Sequence, residues 1–142
     1  MYGECQTAEI AATPQACFDA LTDVERLPDW QGAVRDVRVL EREAGGRASV
    51  VEFEVDAKVK RVRYRLRQLY DEPHRIASEY LGGDFNDFAG EWRFAPTAHG
   101  TRAELDLRID PGRFVPGPLR SLIADAVMRR ALTDLKRHLE ER

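Results

Sequence analysis

From residue 33 to residue 110, apolar side chains recur at every second position. Val37 and Val39 alternate with Asp36 and Arg38, and Val51, Phe53 and Val55 with Glu52, Glu54 and Asp56. Val62, Tyr64, Leu66, Gln68 and Tyr70 alternate with Arg61, Arg63, Arg65 and Arg67. Ile76, Ser78 and Tyr80 form one face of the next run, Phe88, Gly90, Trp92 and Phe94 a face of the one after, and Leu105, Leu107 and Ile109 the last. A period of two marks a half-buried strand, one face to the core and one to water. Gly45-Gly46, Asp71-Glu72-Pro73, Gly82-Gly83-Asp84 and the stretch Thr97 to Gly100 separate the runs with turn residues. Six strands at hairpin spacing predict an antiparallel sheet with one apolar and one polar face.

The flanks read differently. Residues 3–11 are a strand candidate. Thr13-Pro14 then offers an N-cap followed by proline at the first helical position, opening a short helix that runs to about Leu21. Thr22 and Glu25 have capping-box spacing and predict a second short helix, interrupted by Pro28 and closed by Trp30. Pro111-Gly112 and Pro116-Gly117-Pro118 end the sheet region. From Leu119 to about Glu141 no Gly or Pro occurs, which predicts a rod of roughly 35 Å. Its apolar residues form two stripes on nearly opposite sides: Leu119, Leu122, Ile123, Ala126 and Val127, then Met128, Ala131, Leu132, Leu135 and Leu139. A helix lying on one flat sheet keeps a single stripe. Two stripes fit a helix gripped by a curved sheet, with a kink or an exposed patch in its first half as the alternatives. The predicted fold class is α+β. A curved antiparallel sheet of about seven strands wraps a long C-terminal helix, with two short helices after the first strand.

Composition narrows the function classes. The 142 residues fit one domain, 1–142, and 43% hydrophobic with 33% charged residues is a globular balance. A formal charge of −3 gives no basic field for nucleic acid. The row Arg61, Arg63, Arg65 and Arg67 could follow a phosphate backbone, but Glu52, Glu54 and Asp56 on the preceding strand would pair with it across the hairpin. No signal peptide and no apolar run of membrane-spanning length is visible, so a soluble cytoplasmic protein is expected, with Cys5 and Cys17 buried and reduced.

Catalytic chemistry finds little purchase. Ser49, Ser78 and Ser121 have no neighbouring base and no nucleophile elbow. His74 and His99 fall in turns and His138 near the helix end, all read as solvated. No cluster has metal-ligand spacing and no glycine-rich phosphate loop is present, so neither metal nor cofactor is expected.

Two stretches carry a family resemblance. In the first, Thr13-Pro14 follows a strand, Asp23-Val24-Glu25 makes a turn, and Pro28-Asp29-Trp30 closes it. In the second, Gly82-Gly83-Asp84 turns into Gly90-Glu91-Trp92-Arg93-Phe94. With this order of elements the whole chain resembles the START-like (SRPBCC) helix-grip superfamily, and within it the polyketide cyclase/dehydrase and coenzyme-Q-binding group, with ribosome-association toxins as relatives. Where coenzyme-Q-type members have an aromatic-rich segment, this chain has Gln31-Gly32-Ala33-Val34.

The resemblance implies an internal cavity for a hydrophobic small molecule. By strand parity its lining would be Phe53, Val55, Tyr64, Leu66, Ser78, Tyr80, Asn86, Phe88, Trp92 and Leu107, with Trp30 at the entrance and Leu122, Ile123 and Ala126 from the helix. Gln68, Ser78, Asn86, Tyr64 and Tyr80 could orient a carbonyl or hydroxyl of the ligand. The leading expectation is a non-catalytic carrier or sensor of a lipid-like, isoprenoid or quinone, or polyketide-like molecule. The alternatives are a polyketide cyclase or dehydratase using Tyr64, Tyr80, Ser78 or Asn86, and a ribosome-contacting interaction protein. A membrane-surface role for residues 119–127 is a further alternative, against which Asp125 stands inside the stripe.

Overall fold

In a computed structural model, residues 2–56, 60–112 and 116–141 are described, the side chains of Tyr2, Glu4, Arg120, Ser121 and residues 123–129 excepted. Strand β1 (Tyr2–Ile10) is followed by α1 (Pro14–Thr22), a 3-10 turn (Val24–Arg26) and α2 (Leu27–Trp30). Six strands follow: β2 (Val34–Arg42), β3 (Ala48–Asp56), β4 (Arg61–Asp71), β5 (Arg75–Gly83), β6 (Asp87–Thr97) and β7 (Gly100–Asp110). The long helix α3 (Gly117–Glu140) closes the chain. The seven strands form one curved antiparallel sheet in the order β1-β7-β6-β5-β4-β3-β2. Only β1 leaves sequence order, crossing to the far edge to pair with β7 from Tyr2↔Ile109 to Ile10↔Thr101.

The local chemistry explains the elements. Thr13 caps α1, its Oγ1 accepting the Ala16 N–H at 3.1 Å, with Pro14 in the first turn. The capping box expected from Thr22 and Glu25 does not form. Thr22 ends α1 and its hydroxyl donates to the Asp19 carbonyl, while the 3-10 turn has no side-chain cap. Nor does Pro28 interrupt a helix: it sits in the first turn of α2, where its missing N–H costs nothing. Gly82-Gly83 does not end its strand either. Both glycines have positive φ and continue β5 past a register shift opposite Arg65 and Leu66, a bulge instead of a break.

Burial follows the predicted parity. Along β4, Val62, Tyr64 and Leu66 are buried while the intervening arginines are exposed. The arginine row is an ion-pair lattice: Arg38, Arg63 and Arg65 converge on Glu52, Arg63 also meets Glu54, and Arg67 meets Glu79. Exposed pairs of this kind contribute about 0–1 kcal/mol each.

Helix α3 packs on β1 and β7 and on the two short helices. Leu132, Leu135 and Leu139 are buried, confirming the second stripe where its side chains are described. Leu122 of the first stripe is 44% exposed. It lies roughly 100° around the helix from the buried leucines, so a helix seated by its second half turns it outward. Both cysteines are free thiols. Cys17 is buried as expected, but Cys5 is exposed and bonded to Glu104.

Candidate ligand cavity

Between the inner sheet face and the helices lies a partly enclosed cavity of about 120 Å³. Phe53 and Val55 of β3, Tyr64, Leu66 and Gln68 of β4, Ile76 and Ser78 of β5, Phe88, Gly90 and Trp92 of β6, and Leu105 and Leu107 of β7 form its sheet wall. Leu21, Leu27, Gln31, Ala33, Val34 and Ala131 close it from the helical side, and Glu91 borders it. Aromatic rings pack around Tyr64: its ring centroid lies 5.6 Å from that of Phe53 and 5.2 Å from that of Phe88, both stacked, and 5.1 Å from the tilted ring of Phe85. Gly90 matters because a Cβ there would come within 3.1 Å of Leu107 and 3.2 Å of Phe88.

Of the predicted lining, Phe53, Val55, Tyr64, Leu66, Ser78, Phe88, Trp92 and Leu107 are brought together. Tyr80 is on the inner face, but its hydroxyl donates to the Phe85 carbonyl at 2.6 Å and it does not reach the cavity. Asn86 donates to Asp110 at the strand end instead. Trp30 stacks on His138 at 4.4 Å on a separate surface groove, so His138 is not simply solvated. Leu122 faces solvent, and the side chains of Ile123 and Ala126 lie outside the described residues. Among the described residues, the helical share of the wall comes from Leu21 of α1, Leu27 of α2 and Ala131 of α3. Ile76 and Leu105 share the parity of residues already chosen, so a full parity reading would have found them. Gln31 and Ala33, between α2 and β2, and Val34 at the start of β2 also line the cavity, and no periodicity marks them as wall residues in the sequence.

The polar chemistry of the wall is sparse. Ser78 Oγ donates to Gln68 Oε1 at 2.7 Å across adjacent strands. Burial pushes the Tyr64 phenol well above its usual value, with Tyr80 adding to the effect, so Tyr64 stays protonated and can donate. Glu91 is drawn up by burial, yet Arg75 and Arg93 outweigh this and hold it below its usual range. Among the described residues no group of three or more His, Cys, Asp or Glu could hold a metal ion, and no helix is long and apolar enough to cross a membrane.

A curved seven-stranded sheet gripping a C-terminal helix over an apolar cavity defines the START-like helix-grip class. Residues 10–136 match the family described as polyketide cyclase / dehydrase and lipid transport, and the chain belongs to that family. It is similar in structure to a START superfamily protein from Mycobacterium smegmatis, with 22% identity, TM-score 0.86, and 98% and 97% of the two chains covered. A protein from Thermus thermophilus gives 26% identity and TM-score 0.81 over 99% of this chain and 95% of that one. The ZhuI aromatase/cyclase of Streptomyces sp. R1128 gives 22% and 0.81 over 99% and 94%. No curated protein matches the chain.

Proposed function

We propose that residues 1–142 act as one cytoplasmic domain that binds a hydrophobic small molecule in the sheet–helix cavity, as a carrier or sensor. The observation carrying this reading is the wall itself, predominantly aliphatic and aromatic with few polar groups. The family's description, which includes lipid transport, supports it. A volume of about 120 Å³ is close to that of an apolar cavity able to take benzene, and below the roughly 300–1,000 Å³ of pockets for larger ligands. A one-ring or short-chain ligand fits the cavity as it stands; a lipid or polycycle needs a larger space.

Thermal unfolding across a panel of lipids, quinones and aromatic ketones tests this. A ligand at a hundred times its Kd should add about 2.7 kcal/mol of stability. A flat response across the panel, with native mass spectra free of bound small molecules, would overturn the proposal.

A second reading, a polyketide cyclase or dehydratase, is supported by the family and by Tyr64, a protonated phenol among the lining residues. There Tyr64 would polarise a substrate carbonyl as a hydrogen-bond donor. Turnover of an aromatase substrate that drops in Tyr64→Phe would support it, and turnover unaffected by that change would remove Tyr64 from the mechanism.

A further inference from the structure

Gln68 on β4 and Ser78 on β5 are direct register partners. The Ser78 hydroxyl donates to Gln68 Oε1, which fixes the carboxamide and leaves its two Nε2 donors unspent. Among the described residues no fully buried side-chain nitrogen or oxygen lacks a partner, so Nε2 is accessible, and Gln68 lies on the inner face of β4 at the cavity wall. An accessible amide in an apolar wall rewards a ligand that brings an acceptor to it.

The charges of the wall narrow that ligand. Among the described lining residues there is no Lys, Arg or His, and Glu91 is the one charged side chain, already paired with Arg75 and Arg93. A ligand carboxylate placed against these described lining residues would lose its hydration without meeting a cation among them, and would lie near another carboxylate.

We propose that Gln68, set by Ser78, recognises the acceptor oxygen of an otherwise apolar, uncharged ligand (a ketone, quinone, ester or amide carbonyl), and that the wall discriminates against a free carboxylate of the same size. This rests on the reading of the cavity as a ligand site.

Three probes of one size separate the parts of the claim: acetophenone, its near-isostere α-methylstyrene, and benzoate at pH 7. Each is titrated into the purified protein and followed by amide NMR shifts. Acetophenone should bind about fivefold tighter than α-methylstyrene, the gain expected of one net hydrogen bond, and benzoate more weakly than either. In Gln68→Met the preference for acetophenone should vanish. In Ser78→Ala, where the carboxamide is no longer held, it should fall to about half. Thermal unfolding of both variants confirms that they are folded, and either one alone decides the role of the pair. Equal binding of acetophenone and α-methylstyrene, a preference that survives both substitutions, or benzoate matching acetophenone would overturn the selectivity and leave the cavity reading standing. Binding of none of the three would overturn the selectivity, and joined to a flat thermal response across the wider panel of lipids, quinones and aromatic ketones it would overturn the cavity reading as well.

Discussion

The main-chain N–H of Gly32 donates to Oδ2 of Asp134 at 2.8 Å, tying the loop after α2 to the second half of α3. The two residues before Gly32 extend the join to either side of Asp134. Gln31 Nε2 donates to the Ala131 carbonyl at 2.9 Å, and Trp30 stacks on His138. Residues 131, 134 and 138 fall on one helical face, so the last residue of α2 and the two loop residues after it meet one stripe of α3. Gln31 and Ala131 also border the cavity, which makes these contacts the clasp of its helical wall.

Removing that clasp should be costly out of proportion to one side chain. Asp134 is buried, and Asp134→Ala leaves the Gly32 N–H without its acceptor, a loss of about 1–3 kcal/mol. Asp134→Asn keeps an acceptor oxygen and should lose less. Urea unfolding of the three proteins measures the difference, and an alanine variant as stable as the parent would show that the loop is held by other contacts.

The bulge at the end of β5 makes a second demand. Gly83 has φ +140°, and a Cβ there would lie 2.4 Å from the Arg63 carbonyl oxygen and 2.5 Å from the Tyr64 Cα, both backbone atoms that cannot step aside. Gly83→Ala should therefore destabilise by about 2 kcal/mol or more. Gly45, with nothing within 4 Å of an added Cβ, is the control, and Gly45→Ala should be near neutral. Melting temperatures distinguish the two; similar values for both variants would refute the steric account.

These two sites mark where the sequence is legible and where it is not. The strands are readable because alternation is a local signal: Phe53, Tyr64, Phe88 and Leu107 can be assigned to one inner face by counting in twos. The N-cap at Thr13 is readable for the same reason, since cap and first turn are adjacent. What fails depends on rotation and on distant partners. Leu122 looks like a wall residue because it belongs to an apolar stripe, but which stripe of α3 faces the sheet is set by where the helix is seated. Asp134 escapes notice because a carboxylate between Leu132 and Leu135 reads as a solvated position until Gly32, 102 residues earlier, supplies the donor. Tyr80 and Asn86 have the right parity and the right chemistry, and lose their candidate roles to Phe85 and Asp110 close by.

The sheet wall of the cavity should be adjustable. Leu105 is buried and borders the space directly, so Leu105→Ala should cost about 2–5 kcal/mol and add its lost volume to the existing void. A bicyclic probe such as naphthalene should then bind more tightly than to the parent, read by NMR titration. Lower stability without better naphthalene binding would mean that neighbouring side chains collapse into the gap. The converse change, Ala131→Leu, should fill space from the helical side and weaken α-methylstyrene binding.

Acid should loosen the fold through its paired glutamates. Glu72, Glu91, Glu104 and Glu140 all have folded values below the usual 4.5. A carboxylate with a depressed folded pKa contributes stability that is complete above its unfolded value and lost as pH falls through the folded one. The urea midpoint should thus stay nearly level from about pH 7 to about pH 5.5 and decline below about pH 5. Glu91 isolates one contribution. Burial would raise its pKa, but the hydrogen bond from Arg75 and the charges of Arg75 and Arg93 reverse the sign. Glu91→Gln should be less stable than the parent at pH 7, and its decline below pH 5 should be shallower because one titrating group is gone. Added salt that screens Arg75 and Arg93 should narrow the gap between the two proteins at pH 7. Parallel acid declines would show that the arginines do not hold Glu91 ionised.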